Sequence, residues 1–209
     1  MAVALSLGLI TPAQAEDWTG TYLTFGLSSA STDLHTRSTG ASFPAGSTDD
    51  IAPFAAVGHD WARGNLTFGV VADIDLTGVA GYDADLVTSG KGFYGESDWF
   101  ATFRGRVGAP VNDKLHVFAS GGIAVTRAGG TNVALFGSNN SDMQLLTGAA
   151  VGLGMEYALP AGGHLSIEYL YADFGRSDEI AAPPSPFVAP PGTVEPIIST
   201  VRVGYTLRF

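Results

Sequence analysis

Regular alternation of apolar and polar residues restricts the fold of this sequence more than any other feature. Between positions 66 and 76 every second residue is apolar, and the residues between them include Asp73 and Asp75. A helix would bring Asp73 and Leu76 to the same face, whereas a strand sends them to opposite faces. The same period of two returns at 99–107 and at 201–209. These segments are predicted to be strands with one apolar and one polar face.

Eight segments of this kind follow one another along the chain. They occupy residues 19–29, 51–61, 66–77, 98–109, 115–126, 142–158, 164–174 and 197–209. Each has about the 9–11 residues that a tilted strand needs to cross a membrane, or more. Their connections alternate between short turns, at 62–65, 110–114 and 159–163, and long loops, at 30–50, 78–97, 127–141 and 175–196. Short turns at one end and long loops at the other are typical of outer-membrane barrels.

The amino-acid composition indicates that these strands lie in a membrane. The 209 residues are 45% hydrophobic and only 14% charged, whereas soluble domains carry about 25% charged residues. The body of the chain has no run of about 18–20 apolar residues that would make a transmembrane helix. Strands in lipid must close on themselves, because an open edge would leave peptide groups without hydrogen bonds. We therefore predict an all-β fold, an eight-stranded antiparallel up-and-down transmembrane β-barrel.

Charge and cysteine content exclude several classes of function. The formal net charge is −10, and the only lysines are Lys91 and Lys114, so a basic surface for nucleic acid is not expected. Without cysteine the chain forms neither disulfides nor thiolate metal sites. The acidic residues do not follow the spacing of a calcium loop. We predict neither a metal nor a cofactor.

The first fifteen residues are predicted to be a signal peptide. An apolar stretch, Met1–Ile10, precedes the small-x-small sequence Ala13-Gln14-Ala15, at which cleavage is expected. No Lys or Arg precedes the apolar stretch, so the charged start of the signal is expected to lie upstream of this sequence. Cleavage after Ala15 would leave residues 16–209 as the barrel domain.

The alternation also predicts which charged residues face the lumen. If the apolar faces contact lipid, the interior receives Asp73, Asp75, Arg104, Arg106, Glu156, Glu168 and Arg202. An eight-stranded barrel is only wide enough for its interior to be filled by side chains. Buried charges need partners, and the planar guanidinium of Arg suits carboxylates. These residues are predicted to form an ion-pair network that fills the lumen and fixes register, with proton or ion passage as the alternative.

One face of a single predicted strand carries His164, Ser166 and Glu168, a set that resembles the catalytic groups of lipid A deacylases. His164 follows a short turn and is expected at the periplasmic end, away from outer-leaflet lipid A. Glu168 is also expected to pair with an arginine in the lumen. The protein is therefore predicted not to be an enzyme, and a lipid A-modifying hydrolase is a remote alternative.

Aromatic residues and glycines have structural interpretations. The aromatic residues near predicted strand ends are expected to form interfacial girdles; they are Trp18, Tyr22, Trp61, Trp99, Tyr157, Tyr169, Tyr171 and Phe209. Gly148, Gly152 and Gly154 precede no helix that would make a phosphate loop. They are expected to make room inside the barrel or to relieve its curvature.

An ordered set of short motifs resembles one family of barrels. The motifs are VGHDW at 57–61, FGVVADI at 68–74, WFATFRGRVG at 99–108, GGIA at 121–124, GLGMEY at 152–157, IEYLYADFG at 167–175 and VRVGYTLRF at 201–209. The set resembles the small outer-membrane immunogenic or porin-family barrels of alphaproteobacteria, which are related to the OmpA-type transmembrane domain and to opacity proteins. His59 stands where that family usually has Tyr, and Val71 where it usually has Glu. The resemblance implies that Tyr205, Leu207 and Phe209 form the signal for the barrel-assembly machinery.

The predicted function is that of an integral outer-membrane barrel with a structural or surface-interaction role and mobile acidic external loops. A small-solute or ion channel is the alternative. The expected partners are outer-membrane lipid, lipopolysaccharide and, during biogenesis, the barrel-assembly machinery. A surface or host ligand is expected to bind through loops 30–50, 78–97, 127–141 and 175–196.

Overall fold

The computed structural model describes residues 18–38, 41–76, 79–85, 91–134, 140–175 and 192–209. Their backbone forms nine strands: β1 (Gly20–Ser38), β2 (Ala41–Arg63), β3 (Leu66–Asp75), β4 (Val79–Asp85), β5 (Lys91–Asn112), β6 (Leu115–Ala134), β7 (Asn140–Ala158), β8 (His164–Asp173) and β9 (Gly192–Arg208). The predicted signal peptide, residues 1–15, lies outside the described residues. Within them, no helix is long and apolar enough to span a membrane.

The strands close into one antiparallel cylinder. Neighbours follow the order β3-β2-β1-β9-β8-β7-β6-β5, and β3 pairs with β5 to complete the ring. β4 pairs with β5 farther along, from Val79↔Ser97 to Asp85↔Lys91. β3 and β4 thus occupy successive stretches of one position in the barrel. The predicted eight-stranded antiparallel barrel is confirmed.

The alternation in the sequence matches the two faces of the wall. Along β3 exposed and buried residues alternate, with Phe68, Val70 and Ile74 outside and Asp73 and Asp75 inside. Large apolar side chains cover the outer surface of the other strands in the same way. A surface of this kind is stable in lipid, because there the exposed apolar area is not in contact with water.

Tight turns join strands at one end of the barrel, which we call the turn side; the opposite end is the loop side. Gly64 adopts φ +64°, so the β2–β3 turn uses a left-handed conformation that favours glycine. At the β5–β6 turn the Asn112 side chain accepts hydrogen bonds from the backbone N–H groups of Lys114 and Leu115. Both ends of the described chain also lie on the turn side, since Gly20 pairs with Asp60 and Tyr22 pairs with Arg208.

The prediction of four long loops is wrong over much of their length. Strands β1, β2, β4, β5, β6, β7 and β9 extend into the ranges 30–50, 78–97, 127–141 and 175–196. Ladder pairing continues as far as Ser38↔Ala41 and Lys91↔Ala134. Backbone hydrogen bonds hold the extended sheet there, and neither face has to be apolar outside lipid, so the period of two disappears from the sequence. The remaining connections, 39–40, 77–78, 86–90, 135–139 and 176–191, lie outside the described residues.

Pro53 lies well inside β2, although a proline has no N–H to donate to a ladder hydrogen bond. Its carbonyl oxygen accepts a hydrogen bond from the Leu76 N–H at 3.1 Å. The N and C=O of one strand residue point to the same side. The Pro53 nitrogen therefore faces β3 just beyond Asp75, the last β3 residue in the β2–β3 pairing. The N–H that proline lacks would lie outside this pairing, so its absence interrupts none of these pairs.

Candidate functional site in the barrel lumen

The structure places all seven predicted lumen residues on the inner face of the wall. Six of them are buried, and the seventh, Glu168, has a side chain that is 13% exposed. They divide between two layers at different heights in the barrel. The seven residues therefore share one compartment but form two separate sets of contacts.

The central cluster consists of Asp73, Asp75, Arg104, Glu168 and Arg202. Arg104 Nη2 lies 2.8 Å from Asp73 Oδ2, and its Nη1 contacts Glu168 Oε1 at 2.5 Å. Arg202 lies 2.8 Å from Asp73 Oδ1 and 3.3 Å from Asp75 Oδ2 on β3, and 3.7 Å from Glu168 Oε2 on β8. Each arginine therefore joins carboxylates from different strands, which links β3, β5, β8 and β9 across the lumen.

Hydroxyl groups add hydrogen bonds to the central cluster. Thr102 Oγ1 donates to Asp73 Oδ2 at 2.6 Å, and Ser28 Oγ donates to Asp75 Oδ1 at 2.9 Å. Ser120 Oγ accepts from Arg104 Nη1. Buried charges are tolerated better when such hydrogen bonds accompany the ion pairs. Ser28 and Ser120 also bring β1 and β6 into contact with the central cluster.

The turn-side cluster consists of Asp60, Arg106, Glu156 and Arg208. Glu156 accepts from Arg106 Nη2 at 2.6 Å and from Arg208 Nη2 at 2.7 Å. Asp60 lies 3.1 Å from Arg208 and 3.7 Å from Arg106. Two guanidinium groups and two carboxylates balance in this layer, which joins β2, β5, β7 and β9.

Sequence reasoning missed Asp60 and Arg208. Both follow the alternation, because Asp60 precedes the lipid-facing Trp61 and Arg208 separates Leu207 from Phe209. The lumen assignment stopped short of these strand ends. Continuing the period of two to the last residue of each strand would have found both.

Aromatic rings stack on the buried guanidinium groups. The Arg106 guanidinium carbon lies 3.8 Å from the centroid of the Phe118 ring, and that of Arg202 lies 5.1 Å from Phe54 and 5.3 Å from Phe100. A cation over an aromatic face is attracted by the ring quadrupole, and more strongly when water is excluded. These rings therefore stabilise the arginines on faces that no carboxylate reaches.

Two predicted girdle residues lie inside the barrel instead. Trp18 is 1% exposed and its ring stacks against His116, while Tyr22 is buried beside Arg106 and Arg208. Both residues stand at the turn-side mouth, where an inward aromatic ring closes the lumen. Other predicted girdle residues do face outward: Trp61, Tyr157, Tyr169 and Phe209.

The loop-side part of the lumen is filled by an apolar cluster. Its members are Ala30, Phe100, Ala124, Ala128, Leu146, Ala150, Leu170, Ala172, Phe174 and Ile198. Phe100 and Leu170 are fully buried, and the Phe100 and Phe174 rings meet edge to face at 6.5 Å. This layer lies between the central cluster and the loop side.

A cavity of about 30 Å³ separates the two charged clusters. Its lining includes Tyr22, Thr24, Arg104, Glu156 and Ser166. A site of this size holds roughly two water molecules. Among the described residues, the space between the two charged clusters is therefore a small cavity lined by both charged and apolar side chains.

The contacts of the predicted hydrolase residues do not form a catalytic relay. His164 packs its ring against Trp18 at 4.8 Å, and Glu168 binds Arg104. Activation of Ser166 would need a base within hydrogen-bond reach, and its Oγ has no such partner within the described part of the chain. In that same part, no group of three or more His, Asp or Glu side chains could hold a metal ion.

Gly152 lies where the central cluster needs space. A Cβ atom at this position would stand 2.7 Å from Arg104 Nη1 and 2.8 Å from Glu168 Oε1. At Gly154 a Cβ would meet the Phe118 ring, and at Gly148 it would meet the Asp173 carbonyl oxygen. These glycines make the room inside the barrel that their positions in the sequence suggest.

Comparison with known proteins agrees with this geometry. The family described as "Outer membrane protein beta-barrel domain" matches residues 1–209. The 31 kDa outer-membrane immunogenic proteins of Brucella melitensis and Brucella suis are each 26% identical over 164 residues. That match covers 73% of this chain and spans 63% of the length of each Brucella protein.

Two solved structures share the fold. OprG from Pseudomonas aeruginosa superposes with a TM-score of 0.55 at 14% identity, covering 91% of this chain and 97% of that one. Neisserial surface protein A gives a TM-score of 0.50 at 16% identity, covering 91% and 98%. The predicted resemblance and location are confirmed: the chain belongs to the outer membrane protein beta-barrel domain family and is an outer-membrane protein.

Proposed function

We propose that the protein is a sealed, non-conducting barrel with a structural and surface-interaction role in the outer membrane. The observation that supports this most directly is the filling of the lumen. A solute would have to pass the apolar cluster, the central cluster, the turn-side cluster and Trp18 in turn. Breaking one buried ion pair by removing a partner costs about 3–5 kcal/mol, so thermal opening of both charged layers together is rare.

The length of the strands supports a role beyond the membrane surface. β5 has 22 residues, and at about 3.3 Å per residue and a tilt of about 40° such a strand rises about 55 Å. The apolar band of an outer-membrane barrel is about 25 Å tall. β5 ends at the turn side, so its excess length lies toward the loop side, which in such barrels is external.

The extended external sheet is the part of the molecule that we propose for partners. It carries segments of the ranges 30–50, 78–97, 127–141 and 175–196, and a rigid β-sheet holds a binding surface at a fixed height above the lipid. We propose lipopolysaccharide and a surface or host ligand as its partners. We expect this binding to be lost when loop-side residues 79–97 are replaced by a short turn in a barrel that still folds.

Planar-bilayer recording tests the sealed lumen. Refolded wild-type protein should give no steady conductance, and a reproducible open level would contradict the proposal in favour of a channel. Two variants on one strand sharpen the measurement: Phe100→Ala removes a buried ring of the apolar cluster, and Phe103→Ala removes a ring that faces lipid. We expect brief openings to become more frequent only with Phe100→Ala.

We also propose that the barrel-assembly machinery recognises the outer face of β9. Leu207 and Phe209 are exposed there, and Tyr205 stands on the same face. Phe209→Ala should lower the amount of protein that reaches the outer membrane, whereas Val203→Ala on the same face should not. Equal assembly of the two variants would argue against the signal.

A further inference from the structure

We propose that Trp18 is a plug of the turn-side mouth and that acid releases it through His116 and His164. The Trp18 indole packs against both imidazole rings. Its centroid is 5.1 Å from that of His116, with the planes 18° apart, and 4.8 Å from that of His164. Arg208 Nη1 donates to the Trp18 carbonyl oxygen at 2.8 Å. Side chain and backbone are thus both held inside the mouth.

Gly20 directs the chain into the lumen. It adopts φ +100°, and a Cβ atom there would stand 2.6 Å from the Phe209 carbonyl oxygen. A residue with a side chain would be strained in this conformation and would also clash with the end of the chain. Gly20 therefore acts as the hinge between Trp18 and the wall of the barrel.

The hydrogen bonds of His116 suit its neutral form. Its Nε2 lies 2.8 Å from Thr67 Oγ1, and its Nδ1 faces Arg106 Nη2 at 3.5 Å. A guanidinium group only donates, so Nδ1 must accept and Nε2 carries the proton. Protonation would point an N–H of a cationic ring at the Arg106 cation. The contact that positions His116 under Trp18 would then be lost.

The other charged groups around the two histidines offer no compensation. Arg106, Arg208 and Glu156 face both rings, and each histidine also faces the other. Glu156 and the neighbouring Asp60 are already bound by the two arginines. The layer is balanced with both histidines neutral, and two imidazolium groups would make it strongly positive.

A cation on one side of an indole is favourable. Here, however, two cations would lie against one buried ring, beside two guanidinium groups. Repulsion in a buried site therefore outweighs the stacking gain, and the rings separate. Burial and the two guanidinium groups disfavour the charged form of both histidines, so the plug responds at a pH below the range of about 5 to 8 in which an unperturbed histidine titrates.

Fluorescence of Trp18 tests the plug in the full chain. In a Trp61→Phe, Trp99→Phe background Trp18 is the single tryptophan, and its quenching by acrylamide reports its access to water. We expect weak quenching in the neutral refolded barrel and a several-fold rise on acidification to about pH 4. Heat-dependent mobility on a gel checks at each pH that the barrel remains folded.

Three variants distinguish the plug from general loosening. His116→Gln with His164→Gln should remove the pH response, and Gly20→Ala should expose Trp18 already at neutral pH. His59→Gln is the matched control, because His59 lies against Trp61 on the outer wall and not against Trp18. Trp18 that stays shielded in the acidified folded barrel, or a pH response that survives without His116 and His164, would overturn the proposal.

Discussion

The two halves of the barrel interior are filled by opposite kinds of side chain. Toward the turn side, four arginines meet five carboxylates in two layers. Toward the loop side, the space is occupied by alanines and a few large apolar residues. Both fillings occupy most of the space inside the wall, but they constrain the wall differently. An ion pair requires one partner at one position, so it specifies register, whereas apolar packing accepts any shape of similar volume.

The largest effect is expected from breaking the charged half. Arg104→Ala removes one of the two guanidinium groups that bind Asp73 and Glu168 and should destabilise the folded barrel by about 3–5 kcal/mol. The midpoint of urea unfolding in detergent measures this loss. Arg63→Ala, at an exposed position beside a turn, is the control. Equal midpoints for the two variants would show that the ion-pair network does not stabilise the folded barrel.

A comparable but smaller loss is expected in the apolar half. Leu170→Ala empties a fully buried position and should cost about 2–5 kcal/mol. Leu153→Ala removes the same atoms from a side chain that is 65% exposed on the outer wall, where lipid refills the space. The same unfolding measurement should separate the two variants. If they are equally stable, the loop-side cluster is loosely packed.

A single methyl group tests how tightly the charged half is packed. Gly152→Ala pushes against Arg104 and Glu168, which are fixed in their ion pair, and should cost about 1–3 kcal/mol. Gly105→Ala is the control, since a Cβ there meets only the Gly121 carbonyl oxygen at 3.8 Å. A harmless Gly152→Ala would mean that the central cluster can shift within the lumen.

The smallest effect is expected from salt. Raising the salt concentration from about 0.1 to 1 M shortens the screening length from about 10 to 3 Å, but ions do not enter the filled lumen. The difference in unfolding midpoint between wild type and Arg104→Ala should therefore stay nearly constant. A difference that shrinks steadily with salt would show that solvent reaches the charged half.

Much of the barrel was predictable because lipid imposes a period of two on every strand that crosses it. The same rule predicted that seven charged residues face the lumen. It did not find the apolar cluster, because segments such as Tyr169-Leu170-Tyr171 are apolar on both faces and give no alternation. It also did not extend strands past the lipid, where backbone pairing alone holds the sheet. Trp18 was misassigned because it precedes β1, and its position depends on the turn at Gly20.

The closing seam has a consequence for the order of events during biogenesis. Thr24 on β1 and Thr206 on β9 share a hydrogen bond across 182 residues of chain. The first strand therefore has no partner on one side until the last strand has been synthesised. Contacts of such long separation form slowly, and a C-terminally shortened chain without β9 would leave the edge of β1 unpaired. The barrel can therefore close only when β9 is present.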